Sequence, residues 1–263
     1  MTEGRSAKRK RNGLSAGAKK AMYYKTAGST IHPGVGGIFV TCNRYHEKQC
    51  RQELMLYFRE LADKIYEVDK GIDNEQASAI GDDIETSILK EVQALHEIDS
   101  TSSPLFTPID VDCECVIFFR TRKPIDPASF VHRICSDAFF SKEKSTRHTL
   151  RLSPVTLTAS ASEDGLIELA KKVLKPHFHE NPENPIKFAI RPTLRNHSVL
   201  DRDTIIRLVA NIVGPSHKVD LKHYDKLILV ECFKNIIGIS VVEDFEKFKR
   251  FNLQAIFESL QTK

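Results

Sequence analysis

Three groups of residues in this chain have types and spacings that suit chemistry at a single point. Cys113-x-Cys115 sets two thiols two residues apart, His177-x-His179 does the same with imidazoles, and Gly34-x-Gly36-Gly37 offers small residues of the kind that cradle phosphate. A tetrahedral thiolate site is commonly built from C-x-x-C pairs, and the chain contains none. Residues two apart on a strand share one face. Cys113 and Cys115 alternate with Val111, Ile117 and Phe119, so the expectation is one strand over Ile109–Arg120 with both thiols in a core. The two histidines have no thiol or carboxylate set around them, and a turn ahead of Asn181-Pro182 is expected instead. Phosphate loops follow a strand and open a helix, whereas these glycines precede a strand at Ile38–Cys42. There is no G-x-G-x-x-G after a strand, no G-x-x-x-x-G-K-[ST], and no H-x-E with P-C-x-x-C of a zinc deaminase. No catalytic residue, cofactor or metal is therefore assigned.

The cations carry more. Lys187, Arg191, Arg195, Asn196, His197 and Arg202 fall on a strand end, a loop and a helix start, and with Lys218, Lys226 and Lys234 they are expected to line one face. A second group, Arg120, Arg122 and Lys123, ends the Cys-x-Cys strand. Structured RNA presents dense phosphates and 2′-hydroxyls, which proteins read largely through Arg and Lys, and a helix start adds backbone N–H donors. These twelve residues are the candidate RNA contacts.

The elements that must hold them follow from periodicity. Residues 218–242 read as three short strands: 218–221, Lys226–Phe233 and Ile236–Val242. The middle one is apolar on both faces, so it belongs inside a covered sheet. Gly238 marks a close backbone approach or a bulge. Upstream, strand 38–42, a helix to Tyr66 (Cys50, Leu54, Phe58, Leu61 and Ile65 on one stripe, Asn43 as N-cap), strand 109–120, helix 127–140 and strand 150–159 give a β-α-β-α-β order suited to a small ferredoxin-like domain. Then come a helix capped by Ser162 that stops at Pro176, strand 186–191, and a helix over 199–213 opened by Ser198-x-x-Asp201 and closed by Gly214-Pro215. An aromatic-rich helix spans 244–260.

Charge is unevenly spread. The net +4 divides into +7 over residues 1–25, −8 over 67–99 and +5 over the rest, so the folded part favours an anionic partner. The first 33 residues cannot bury enough apolar surface to fold alone. Their KRKR run suits a nuclear address or a loose phosphate-binding arm. The acidic 67–108 stretch reads as an insertion with one helix near 82–97. No apolar run reaches the roughly 20 residues that span a bilayer, and no secretory h-region is present, so six reduced thiols in a cytosolic or nuclear protein are expected, with the KRKR arm favouring the nucleus and nucleolus.

The pattern V-D-L-x-x-x-D-x-x-I-x-V-E-C over 219–232, followed by Gly238-Ile239-Ser240-Val241, resembles the closing half of a THUMP domain. The likeness extends upstream to Gly37-Ile38-Phe39-Val40-Thr41-Cys42 with Arg44 and His46-Glu47, to Asp112 through Phe118, to Thr121-Arg122-Lys123-Pro124-Ile125, to Pro176-His177-Phe178-His179 and to Lys187-Phe188-Ala189-Ile190. Together, from about Gly34 to Val242, the chain resembles the stand-alone THUMP-domain tRNA acetylation adaptors. That resemblance implies an α+β fold: a basic disordered arm (1–33), an N-terminal ferredoxin-like domain (34–149, acidic insertion 67–108), a THUMP domain (150–243) and a C-terminal helix (244–263). It implies a non-catalytic protein that grips tRNA by its acceptor stem and 3′ end. Such a protein presents a D-arm cytidine of serine and leucine tRNAs to a separate RNA cytidine acetyltransferase for 4-acetylcytidine formation. A general RNA-binding factor in RNA processing or ribosome assembly, and an unrecognised enzyme, stay open as alternatives.

Overall fold

The computed structural model describes residues 30–66, 104–141, 143–180 and 185–261. The KRKR arm and the helix expected near 82–97 lie outside the described residues.

Two sheets make up the body. The first has the order β2-β3-β1-β4, with β1 (Gly36–Cys42), β2 (Phe106–Asp110), β3 (Val116–Thr121) and β4 (Thr149–Val155) all paired antiparallel. Helix α1 (Glu47–Tyr66) leads from β1 towards β2, and α2 (Pro127–Ser141) joins β3 to β4. This is a ferredoxin-like βαββαβ unit. Its strand count corrects the sequence reading. The expected strand over 109–120 is a hairpin, β2–β3, with Cys113 and Cys115 in the turn between, and Asp112 and Cys115 hold positive φ there. The two thiols are consequently half-buried and do not alternate along one core face. Helix α1 buries Cys50, Leu54, Met55, Phe58, Leu61 and Ala62, close to the expected stripe. Phe58 packs Phe106, Phe119 and Phe130 at centroid distances of 5.2–5.5 Å.

The second sheet has the order β5-β9-β8-β6-β7. Its strands are β5 (Leu157–Ser160), β6 (Lys187–Arg195), β7 (Lys218–Val219), β8 (Lys226–Phe233) and β9 (Ile236–Val242). The apolar β8 lies inside, parallel to β6 and antiparallel to β9. Helices α3 (Glu163–Leu174) and α4 (Arg202–Val213) cover one face through Leu166, Leu169, Val173, Ile205 and Val209 against Phe188, Ile228 and Val230. Ser162 caps α3 by accepting from Gly165 N at 3.0 Å. The helix then runs on through Pro176 as a π turn, Lys175–His179. The cap of α4 is Asp201, not Ser198: Asp201 Oδ1 accepts from Thr204 N at 2.8 Å, so the helix starts three residues later than expected. Gly214, at φ 84°, closes it. After β9 the chain makes turns and a 3₁₀ segment (Lys249–Phe251) before α5 (Leu253–Gln261), where a single helix from 244 was expected. Phe245 and Phe251 are buried edge to face at 5.1 Å and join the core under α2.

The two sheets share one strip of chain. The stretch expected as a single strand over 150–159 breaks at Thr156, with β4 at the edge of the first sheet and β5 at the edge of the second. Gly238 of β9 makes this crossing possible, since a Cβ there would sit 2.4 Å from Val155 Cγ1. Ser240 Oγ donates to Pro154 O at 2.8 Å beside it. Phe39 and Phe233 meet across the two sheets at 5.8 Å. Residues 30–35 also belong to the fold. Ile31 is buried, and Thr158 Oγ1 bonds to Val35 N and His32 O at 3.0 Å each.

Candidate nucleic-acid interface

Strand β6 turns alternate side chains to opposite faces of its sheet. Phe188 and Ile190 face α3 and α4, so Ala189, Arg191, Thr193 and Arg195 face the other way, towards β4 and the C-terminal turns. A cleft of about 530 Å³ opens there, lined among others by Arg151, Arg191, Thr193, Arg202, Tyr224 and Glu246. Arg191 Nη1 lies 3.3 Å from Glu246 Oε1, and its guanidinium is 5.4 Å from the Phe245 ring centroid. Arg250 Nε donates to both oxygens of the same carboxylate, at 3.2 and 3.0 Å. Arg202 Nη1 donates to Pro192 O at 3.3 Å. Arg151, from the edge of the first sheet, is half-buried; burial and the neighbouring Arg191, Arg195 and Arg250 all lower its pKa. Its Nε has no hydrogen-bond partner among the described residues.

Beneath the cations lies Glu231, 6% exposed. Withdrawal from water pushes its carboxyl pKa up, against the pull of Arg195, of side-chain hydrogen bonds from Ser153 and Thr193, and of Arg151. One buried acid thus holds residues from both sheets beneath a set of guanidinium groups. Like charges gathered in a cleft with low-dielectric walls focus potential outward, and Arg guanidinium suits bidentate phosphate contact. The arrangement has the chemistry that suits a polyanion. The buried thiols are neutral at ordinary pH, since burial drives Cys42 to about 12, Cys50 to about 11 and Cys232 to about 12, and raises Cys135 further. Among the described residues no group of three His, Cys, Asp or Glu side chains converges as a metal site. His179 Nε2 sits 3.0 Å from Ile212 O.

The sequence-expected contacts divide into separate groups, not one face. Arg191 and Arg202 line the cleft, and Arg195 lies beside it, acting on Arg151 and Glu231. Lys187, Lys218 and Lys226 sit at the far end of the second sheet, where Lys187 is paired in register with Lys218 and Phe188 with Lys226. At about 3.3 Å per residue, Lys187 and Arg195 are roughly 26 Å apart along β6. Lys187 lies 3.8 Å from Asp220 and Lys226 3.8 Å from Glu243. Lys234, in the β8–β9 turn, donates its backbone N–H to Arg195 O at 3.1 Å and so stands at the cleft end. Asn196 and His197 brace that end. His197 Nδ1 donates to Lys234 O at 2.7 Å while Nε2 accepts from Leu200 N at 3.1 Å, a pair of partners that fixes the ring's orientation. Asp201 already takes an N–H at the start of α4, so this helix end offers less to a phosphate than its position suggests. Arg120 is half-buried on β3, and Arg122 and Lys123 are exposed beyond it, at the end of the first sheet away from the Cys113–Cys115 turn. Sequence reasoning missed Arg151 and Arg250. Arg151 sits inside an apolar strand and Arg250 inside an aromatic helix pattern, and no local signal links them to β6.

A covered αβ sheet with a cationic open face, joined to a ferredoxin-like unit, defines an α+β polyanion-binding module, and residues 160–242 match the THUMP domain family. Over nearly its whole length the chain is similar to tRNA acetyltransferase TAN1 of Saccharomyces cerevisiae, 39% identical over 96% of this chain and 95% of that protein. It is also similar to THUMP domain-containing protein 1 of Homo sapiens, 31% identical over 92% of this chain and 70% of that protein. PH1313 of Pyrococcus horikoshii Ot3 aligns with 79% of this chain and 55% of its own, with 14% identity and a TM-score of 0.46. The chain belongs to the family of THUMP-domain proteins that contains TAN1 and THUMP domain-containing protein 1.

Proposed function

We propose that this protein binds tRNA and acts in its acetylation as a non-catalytic adaptor. It presents a D-arm cytidine of serine and leucine tRNAs to a separate RNA cytidine acetyltransferase, which supplies the acetyl-CoA chemistry. The observation that carries the reading is the cleft lined by Arg151, Arg191 and Arg202, with Arg195 and Arg250 close enough to act on Arg151, on a chain whose relative is named for tRNA acetylation. Guanidinium groups stay protonated at any physiological pH. They hold phosphate well and move no protons, which suits positioning rather than reaction. Holding the tRNA beside the enzyme raises the effective concentration of the target base. The expected location is the nucleus, chiefly the nucleolus, through the basic N-terminal arm.

The word acetyltransferase in the relative's name favours a second reading, in which the chain itself transfers the acetyl group. Mass spectrometry of 4-acetylcytidine in tRNA and rRNA from cells lacking the gene tests the first reading: tRNA signal is expected to vanish while rRNA signal persists. Unchanged tRNA acetylation ends the proposal. Purified chain incubated with acetyl-CoA and tRNA separates the two readings, since acetyl transfer without added enzyme makes the chain the catalyst.

A further inference from the structure

Tyr45 exposes 77% of its surface and holds φ 65°. A bulky residue in the left-handed region is strained, and such strain persists only where the surroundings impose it. They do so here: His46 N donates to Asn43 O and Asn43 N to His148 O, each at 3.1 Å. His46 Nδ1 donates to Arg44 O at 2.8 Å. Glycine or asparagine would hold this turn without strain, so the ring is retained where the backbone disfavours it. Arg44 places its guanidinium carbon 5.0 Å from the Tyr45 ring centroid. Beside it, the rings of His46 and His148 stack at 4.6 Å with 19° between planes.

The turn lies on a surface continuous with the cleft. Asn196, next to Arg195, reaches Cys113 Sγ at 3.8 Å across the β2–β3 turn. The following Glu114 pairs with Arg44 at 3.2 Å, a contact exposed enough to be exchanged cheaply. On the other flank, Arg151 follows His148 by three residues and is paired in register with Thr41, just before the turn. An exposed aromatic face flanked by arginine and stacked imidazoles has the chemistry that holds unpaired bases.

We propose that the Arg44–Tyr45 turn, backed by His46 and His148, is a stacking platform for an unpaired nucleobase of the RNA whose phosphates lie in the guanidinium cleft. This deepens the function proposed above and rests on it. The test titrates full-length protein into fluorescein-labelled bulk tRNA over a range of salt concentrations, comparing wild type with Tyr45→Gly and Tyr45→Phe. Tyr45→Gly relieves the positive φ, so its melting temperature is expected to equal or exceed wild type. Its tRNA affinity is expected to fall about tenfold with the salt slope unchanged, because every phosphate contact remains in place. Tyr45→Phe keeps the ring and is expected to bind within about twofold of wild type, the phenol contributing little to a stack. Wild-type affinity for Tyr45→Gly, or Tyr45→Phe as weak as Tyr45→Gly, overturns the platform while leaving tRNA binding intact. Retained tRNA affinity with failed capture of the purified acetyltransferase makes the turn a protein contact and also overturns it. If wild type itself binds no tRNA, the platform and the proposed function fall together.

Discussion

Glu231 sits on the inner wall of the cationic face, and its environment makes a testable demand. Burial raises its pKa above the ordinary 4.5 despite nearby Arg195 and Arg151. The folded state therefore takes up a proton before the unfolded chain does. Its contribution to stability falls as pH rises through the folded pKa and is level below 4.5. Glu231→Gln mimics the protonated form and carries no such dependence. The difference in melting temperature, Glu231→Gln minus wild type, is expected to increase from acid towards neutral pH. A flat or decreasing difference shows that the guanidinium groups outweigh burial, and that the carboxylate is a net stabilising counter-ion at neutral pH. That Glu231 is a buried anchor was not legible in the sequence: V-E-C in an apolar strand gives no sign of which sheet edge will bring Arg151 over it. The structural histidine His197 hides for the same reason, since a basic run Arg195-Asn196-His197 looks uniformly solvated until its ring nitrogens find Lys234 O and Leu200 N.

At the scale of elements, the junction of β4, β5 and β9 depends on Gly238. A methyl group there meets Val155 Cγ1 at 2.4 Å, and both strands are buried, so little can move aside. Gly238→Ala is expected to destabilise by about 1–3 kcal/mol through overpacking, a fall of roughly 2–12 °C in melting temperature at this size. Val155→Ala should cost stability alone through a cavity, yet restore much of the stability when combined with Gly238→Ala. Strict additivity of the two changes in thermal melts removes the proposed contact. The glycine's close approach was readable because an isolated Gly in a strand has few other uses. Helix faces were readable too: the α1 and α3 stripes follow from 3.6-residue periodicity. What failed were interruptions with no Gly or Pro to mark them. Thr156 splits one apolar run between two sheets, and the Asp112–Cys115 turn folds one expected strand into a hairpin through positive φ at Asp112 and Cys115. Ser198 carried a cap signature that Asp201, three residues on, fulfils instead.

At the scale of the whole molecule, the fold sorts its cations into groups that an RNA cannot all touch in the same way. Arg151, Arg191 and Arg202, from β4, β6 and α4, line the cleft, with Arg195 and Arg250 within electrostatic reach of Arg151, whereas Lys187, Lys218 and Lys226 lie at the far end of the same sheet. Removing one cation that touches a phosphate lowers the dependence of log affinity on log salt by about 0.7–0.9. Arg191→Ala with Arg195→Ala is therefore expected to reduce the tRNA-binding salt slope by about 1–2 and to weaken binding across tRNA species alike. Lys187→Ala with Lys218→Ala is expected to leave the slope unchanged within error. The contrast separates an RNA seated in the cleft from one spread over the sheet rim. All four substitutions are at half-exposed or exposed positions, and since Arg195 acts on the buried Glu231, a change in slope reports on RNA binding when the melting temperature of each double variant stays at the wild-type value. The opposite result, a slope reduced by the two lysine changes and kept without the two arginines, moves the RNA to the Lys187 end. The cleft arginines then serve only to tie the two sheets together around Glu231.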